Sequence, residues 1–202
     1  AQENYIRDIQ LEVQKINGSA YKHAFVGGLN HTQYSEIDLN LDGINDLITF
    51  DRVGNKLSTF INKGIAGVVD YEFAPKYIDS LPTFESWVLF RDYNCDGKQD
   101  IFTYFSGGVR VYKNTSTTSL SFQLVTSQVK SNYNPDNTSS NPINLYVSST
   151  DIPAIDDIDN DGDLDVLTFS ILGNYVEYHK NMSKELYGTC DSLGYEVANK
   201  CR

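Results

Sequence analysis

One nine-residue frame, D-x-[DN]-x-D-G-x-x-D, occurs three times in this chain and constrains its fold more than any other feature. The copies are Asp38-Leu39-Asn40-Leu41-Asp42-Gly43-Ile44-Asn45-Asp46, Asp92-Tyr93-Asn94-Cys95-Asp96-Gly97-Lys98-Gln99-Asp100 and Asp157-Ile158-Asp159-Asn160-Asp161-Gly162-Asp163-Leu164-Asp165. Oxygen side chains at positions 1, 3 and 5, with a Gly at 6 for the sharp turn, are how a short loop wraps a hard cation that prefers roughly 6–8 oxygens. The spacing therefore predicts three calcium loops. The expected ligands are Asp38, Asn40, Asp42 and Asp46, then Asp92, Asn94, Asp96 and Asp100, then Asp157, Asp159, Asp161 and Asp165. Ile44, Lys98 and Asp163 at position 7 would each add a backbone carbonyl. A helix-loop-helix calcium site closes with Glu at position 12. Here position 12 is Thr49, Thr103 and Thr168, so closure is expected from the Asp at position 9 instead.

Strand follows each loop. Leu47–Phe50, Ile101–Tyr104 and Val166–Phe169 are apolar, β-branched and aromatic runs, the composition of buried strands. Turn signals come next at Gly54-Asn55, Gly107-Gly108 and Gly173-Asn174, and second strands end on Asn62, Asn114 and Asn181. The first Asp and this Asn lie 24, 22 and 24 residues apart, whereas the connections to the next loop take 30 and 43. The inner unit is thus fixed and the connections are free. That pattern suits a stack of small antiparallel sheets, each pinned at one end by a metal. Outer strands are expected at Tyr71–Phe73 and Leu120–Val125, and first strands at Tyr34–Asp38, Phe84–Phe90 and Ile152–Ile155.

The chain resembles the FG-GAP/VCBS repeats of integrin-α-like β-propellers. Its phrasing is similar to that of large secreted or surface proteins of Bacteroidetes exported by the type IX route. The likeness rests on Gly28-Leu29-Asn30 leading to Tyr34–Asp38, on Arg91–Gly97 and on Tyr175–Asn181, and it covers about residues 20–200. It implies an all-β fold, a β-propeller of four-stranded antiparallel blades with DxDxDG loops. Because closure takes roughly 4–8 blades, it also implies a partial propeller whose ends are covered by further blades or a partner protein. The expected units are N-terminal strands in 1–30, blades in 31–83 and 84–130, an inserted loop plus a blade in 131–181, and in 182–202 either the start of a further blade or a Cys-containing insertion. Within 1–30, the alternation of Ile9, Leu11 and Val13 predicts a half-buried strand.

Net charge is −11, and ten of the 27 acidic residues sit at the expected ligand positions. Three divalent ions would cancel six of those net charges. Without them, unit charges about 4 Å apart repel by roughly 4 kcal/mol at an effective dielectric near 20. The acidity makes nucleic acid an unsuitable partner, and no apolar run of membrane-spanning length occurs. Cys190 and Cys201 lie close enough in sequence to bridge each other, or each pairs outside the chain. Cys95, at position 4 of the second loop, is expected to point away from the metal, with no His nearby in sequence to activate it. Ser131–Asn141 reads as an exposed polar insertion, with a ligand-binding loop as the alternative. His179 reads as a surface or interblade residue.

No nucleophile elbow, phosphate loop or dinucleotide fingerprint is present, and the tight Asp clusters are accounted for by calcium. The expectation is a non-enzymatic, secreted or cell-surface protein for adhesion, recognition or display, binding a protein or glycan ligand. The alternatives are the scaffold of a polysaccharide lyase or hydrolase and a rigid spacer.

Overall fold

The computed structural model describes residues 11–137 and 139–201. The protein is built from mainly antiparallel sheets. The first sheet holds β1 (Thr32–Ile37), β2 (Asp46–Asp51), β3 (Lys56–Asn62) and β4 (Tyr71–Phe73) in chain order. The second repeats it with β5 (Val88–Arg91), β6 (Asp100–Phe105), β7 (Gly108–Asn114) and β8 (Phe122–Thr126).

The third sheet has six strands. Its antiparallel part comprises β11 (Ala154–Asp156), β12 (Asp165–Phe169), β13 (Val176–Asn181) and β14 (Gly194–Cys201). Two short strands from the preceding connection, β9 (Lys130–Asn132) and β10 (Ile143–Asn144), extend its outer edge, with β9 parallel to β14.

Each hairpin turns where the sequence can take a left-handed backbone. In the β6–β7 hairpin, Phe105 pairs with Gly108, and the two turn residues Ser106 and Gly107 have φ of 48° and 74°. Two positive φ values in a two-residue turn match the right-handed twist of the flanking strands. The turn is thus centred one residue before the Gly107-Gly108 pair that signalled it.

Alternation along the strands sets the packing. Ile101 and Phe102 are adjacent on β6 and both fully buried, so they face opposite sides of the second sheet. Ile101 packs in a cluster with Ile37, Ile48 and Phe50 of the first sheet, together with Phe84, Val88 and Phe90. Phe102 packs with Trp87, Val109 and Val111 against Ile155, Val166 and Tyr195 of the third. The second sheet is therefore sandwiched between its neighbours. Burying a side chain of this size contributes roughly 1.5–3 kcal/mol, so truncating Phe102 would loosen the second sheet from the third.

The first strands of successive sheets are also neighbours, β1 beside β5 and β5 beside β11. Gln33 on β1 uses its amide like a backbone group, donating to the Val88 carbonyl and accepting from the Val88 N–H, both at 3.1 Å. From β5, Arg91 Nε donates to the Ile155 carbonyl at 3.0 Å.

Several sequence expectations change. Leu11 and Val13 are exposed and belong to no named strand, and Ile9 lies outside the described residues. The tip of the insertion, 134–137, is exposed as expected, but its start and parts of its flanks are not. Ser131 is fully buried in β9, and Val129, Leu145 and Val147 of the same connection enter the core between the second and third sheets. Their apolar side chains alternate with polar ones too briefly to announce a strand. In 182–202, α1 (Ser183–Tyr187) and the loop carrying Cys190 form an insertion, after which β14 completes the third sheet rather than opening a new one. Cys190 bonds Cys95, not Cys201, and so ties this insertion to the second loop. Among the described residues no helix is long and apolar enough to cross a membrane.

Candidate metal centre

The three Asp-rich loops join the first and second strands of the three sheets, and they share one backbone architecture. The first Asp receives the N–H groups of positions 5 and 6. Asp38 accepts from Asp42 at 3.1 Å and Gly43 at 2.8 Å, Asp92 from Asp96 at 3.2 Å and Gly97 at 2.8 Å, and Asp157 from Asp161 and Gly162, both at 3.1 Å. The fifth-position carboxylate accepts from the N–H of position 7, that of Ile44, Lys98 or Asp163, at 2.9–3.1 Å. Gly43, Gly97 and Gly162 have φ of 85°, 83° and 95°, as the sixth position requires. Position 4 is left-handed as well, with φ of 61° at Leu41, 57° at Cys95 and 62° at Asn160. Only Asn160, of a type that takes this conformation readily, signalled it; Leu41 and Cys95 did not.

The ninth Asp has a structural task that the repeat frame did not disclose. Asp46, Asp100 and Asp165 are fully buried. Each joins the start of its loop to the end of the following hairpin. Asp46 accepts from the N–H of Leu39 at 2.9 Å and of Asn62 at 2.8 Å. Asp100 accepts from Tyr93 at 3.1 Å and Asn114 at 2.7 Å, and Asp165 from Ile158 at 3.1 Å and Asn181 at 2.8 Å.

The terminal Asn side chains complete the clamp. Their amides donate to the carbonyls of Asn45, Gln99 and Leu164 at 3.1–3.3 Å and accept from Gly64, Ser116 and Ser183 at 3.0–3.2 Å. The near-constant Asp-to-Asn spacing is the sequence signal of this network.

Burial pushes the carboxyls of Asp46 and Asp165 up and that of Asp100 up to about 6, against the backbone N–H groups that favour ionisation. Asp163 is pushed up to about 6 by burial and by the charges of Asp161, Asp165 and Glu185. Its side chain turns to α1, where it accepts from the Lys184 N–H at 2.9 Å, and its Oδ1 is buried without a partner. Burial thus disfavours the charged form of each of these carboxyls, a penalty that a bound cation would offset.

The third loop gathers the most carboxylate. Oxygens of Asp157, Asp159 and Asp165 lie within 4.8 Å of one another, as do those of Asp159, Asp161 and Glu185. Glu185 comes from α1 and was not foreseen, since it lies outside the frame. Lys180 occupies the same ground. Its ammonium bonds Asp159, lies 2.5 Å from Glu185 and 3.3 Å from Asp161, and is held above the ordinary lysine range, first by Asp159 and then by Glu185. In the first two loops position 3 is Asn, whose amide donates to the fifth-position carboxylate, Asn40 to Asp42 at 2.8 Å and Asn94 to Asp96 at 3.1 Å. Lys113 lies 3.6 Å from Asp96, the counterpart of Lys180. An all-oxygen donor set with converging carboxylates and an orphaned buried oxygen suits a hard divalent cation better than a thiophilic one.

Comparison with protein-family models, with curated proteins and with solved structures finds no match.

Proposed function

We propose that the chain is a calcium-stabilised, non-enzymatic β-propeller segment of the FG-GAP/VCBS kind, part of an exported cell-surface protein for adhesion, recognition or display. The observation that carries this reading is the triple repetition of one loop and one Asp–Asn clamp at the same end of three successively packed sheets. The adjacency of first strands is what a propeller's inner ring requires, and stacked sheets that do not close leave end faces for further blades or a partner. Phe169 on the third sheet is 46% exposed.

Calcium would be held by Asp38, Asn40, Asp42 and Asp46, by Asp92, Asn94, Asp96 and Asp100, and by Asp157, Asp159, Asp161 and Asp165. Bound, it would neutralise the carboxylates that otherwise repel. The chain's own backbone N–H groups already orient the first and fifth Asp of each loop, so little ordering remains for binding to cost. The Cys95–Cys190 bond supports export, because disulfides persist in oxidising compartments.

The test is metal analysis with melting curves in calcium and in EGTA, then a screen on glycans and polysaccharides. Three ions, a melting temperature lowered by EGTA, and saturable binding without turnover are expected. Zero metal with an EGTA-insensitive melt refutes the calcium reading. Turnover that depends on an acidic residue outside the loops favours an enzyme scaffold, and neither binding nor turnover favours a spacer.

A further inference from the structure

At the hairpin end of the second and third sheets, away from the Asp-rich loops, lies a cavity of about 320 Å³ lined by Tyr133, Tyr146, Tyr175, Ile143, Asn144, Ile171 and Glu177. Ile143 and Ile171 are exposed and form its rim, whereas Glu177 is 4% exposed and forms its floor. The volume is near the lower bound of small-molecule sites, roughly 300 Å³.

The floor is the unusual part. Among the described residues the Glu177 carboxylate accepts no hydrogen bond, and its nearest cationic-type nitrogen is His179 Nε2 at 3.6 Å. That imidazole's Nδ1 lies 2.8 Å from Ser131 Oγ, and burial pushes the ring down to about 4, so it is neutral at physiological pH. Lys200 is the register partner of Glu177 on β14 but forms no ion pair with it. A carboxylate held at the floor of a cavity, largely enclosed and with no hydrogen-bond donor, ordinarily acquires a counter-charge.

The walls suit one. Aromatic faces attract cations, more strongly when water is excluded. Tyr133 is also held in place. Its hydroxyl accepts the Tyr146 N–H at 3.2 Å, and its ring stands edge-on to His179 with centroids 5.3 Å apart. Preorganised aromatic walls lose little freedom on binding.

We propose that this cavity binds an ammonium group, as carried by a quaternary amine or by a lysine side chain, with Glu177 as counter-ion and the three tyrosines as walls. The site is independent of the calcium loops and stands whether or not they bind metal.

Titration of the calcium-saturated protein with choline, with Nα-acetyl-lysine methylamide and with neohexanol, the uncharged carbon isostere of choline, followed by NMR, tests it. Saturable shifts confined to residues around Tyr133 and Glu177 are expected for at least one cation. Neohexanol should bind about tenfold more weakly, a difference of about 1.4 kcal/mol. Choline binding alone points to a quaternary amine, and lysine binding alone to a peptide. Glu177→Gln should weaken the cation about tenfold while Asp161→Ala leaves it unchanged. Should Glu177→Gln fail to fold, the partly exposed Tyr175→Ala reads the same loss. The proposal is overturned if neither cation saturates, if neohexanol binds equally well, or if both variants bind like the wild type.

Discussion

Protonation of a single histidine should oppose this fold as the pH falls. His179 is fully buried on β13, hydrogen-bonded to Ser131 at 2.8 Å and packed edge-on against Tyr133. Burial first, and the Lys200 charge second, hold its pKa down at about 4, against an ordinary 6.5. Because the folded value is the lower one, the unfolded chain binds the extra proton first. The contribution is therefore complete above pH 6.5 and is lost as the pH falls towards 4. At about 1.36 kcal/mol per pH unit, roughly 2 kcal/mol is lost by pH 5 and about 3 kcal/mol by pH 4.

Asp100 and Asp163 act in the opposite sense, since burial raises both to about 6 and the folded state takes up their protons first. A bare pH–stability curve therefore mixes two signs. The comparison of wild type with His179→Asn separates them, because Asn can keep a hydrogen bond to Ser131 without titrating. Urea unfolding of both proteins at pH 7 and pH 5, in the same calcium buffer, should give a wild-type loss about 2 kcal/mol larger than the variant's. Equal losses, or an imidazole that titrates near 6.5 by NMR, would refute the reasoning.

Asp161→Ala should remove one of three bound ions, and with free calcium at about 100 times the dissociation constant it should cost about 2.7 kcal/mol, read by metal analysis and melting. Lys180→Met should tighten calcium at the third loop a few-fold, by about 1 kcal/mol, while lowering the melting temperature in EGTA, because the ammonium occupies the carboxylates the ion would use. Unchanged calorimetric affinity would count against that competition. Reduction of Cys95–Cys190, which closes a loop of 95 residues, should cost about 2–5 kcal/mol in urea. Cys95→Ser should show the same loss and no further response to reductant.

The sequence disclosed the repeated units because their signals are local. Gly97 at the sixth position, the apolar run Ile101–Tyr104 and the Asn114 terminus each constrain a few neighbouring residues, and the second sheet forms where they place it. It disclosed less where distant segments decide. Ser131 reads as part of a polar insertion, yet a single hydrogen bond to His179 and parallel pairing with Tyr195 draw it into the third sheet. Cys95 and Cys190 are 95 residues apart, and only the packing of the second sheet on the third brings them together. Glu185 offers a carboxylate to the third loop from α1, a contact no local frame encodes.

The position-nine clamp explains why the nine-residue loop keeps one length while the hairpin and the connections between units vary. Asp100 reaches back seven residues to the Tyr93 N–H and forward fourteen to that of Asn114, so one buried carboxylate fixes both the loop and the exit of its hairpin. Lengthening the β6–β7 hairpin at its turn leaves both ends of that clamp in place. An insertion between Asp100 and the loop instead breaks it and strands an ionised carboxylate in the core, at a cost of roughly 3–5 kcal/mol. On the proposed calcium reading, the metal and the clamp share a residue. Filling the loop should stiffen the far end of the next strand as well as the loop itself, and calcium-dependent protection of the Asn114 amide against hydrogen exchange is where that coupling is measured.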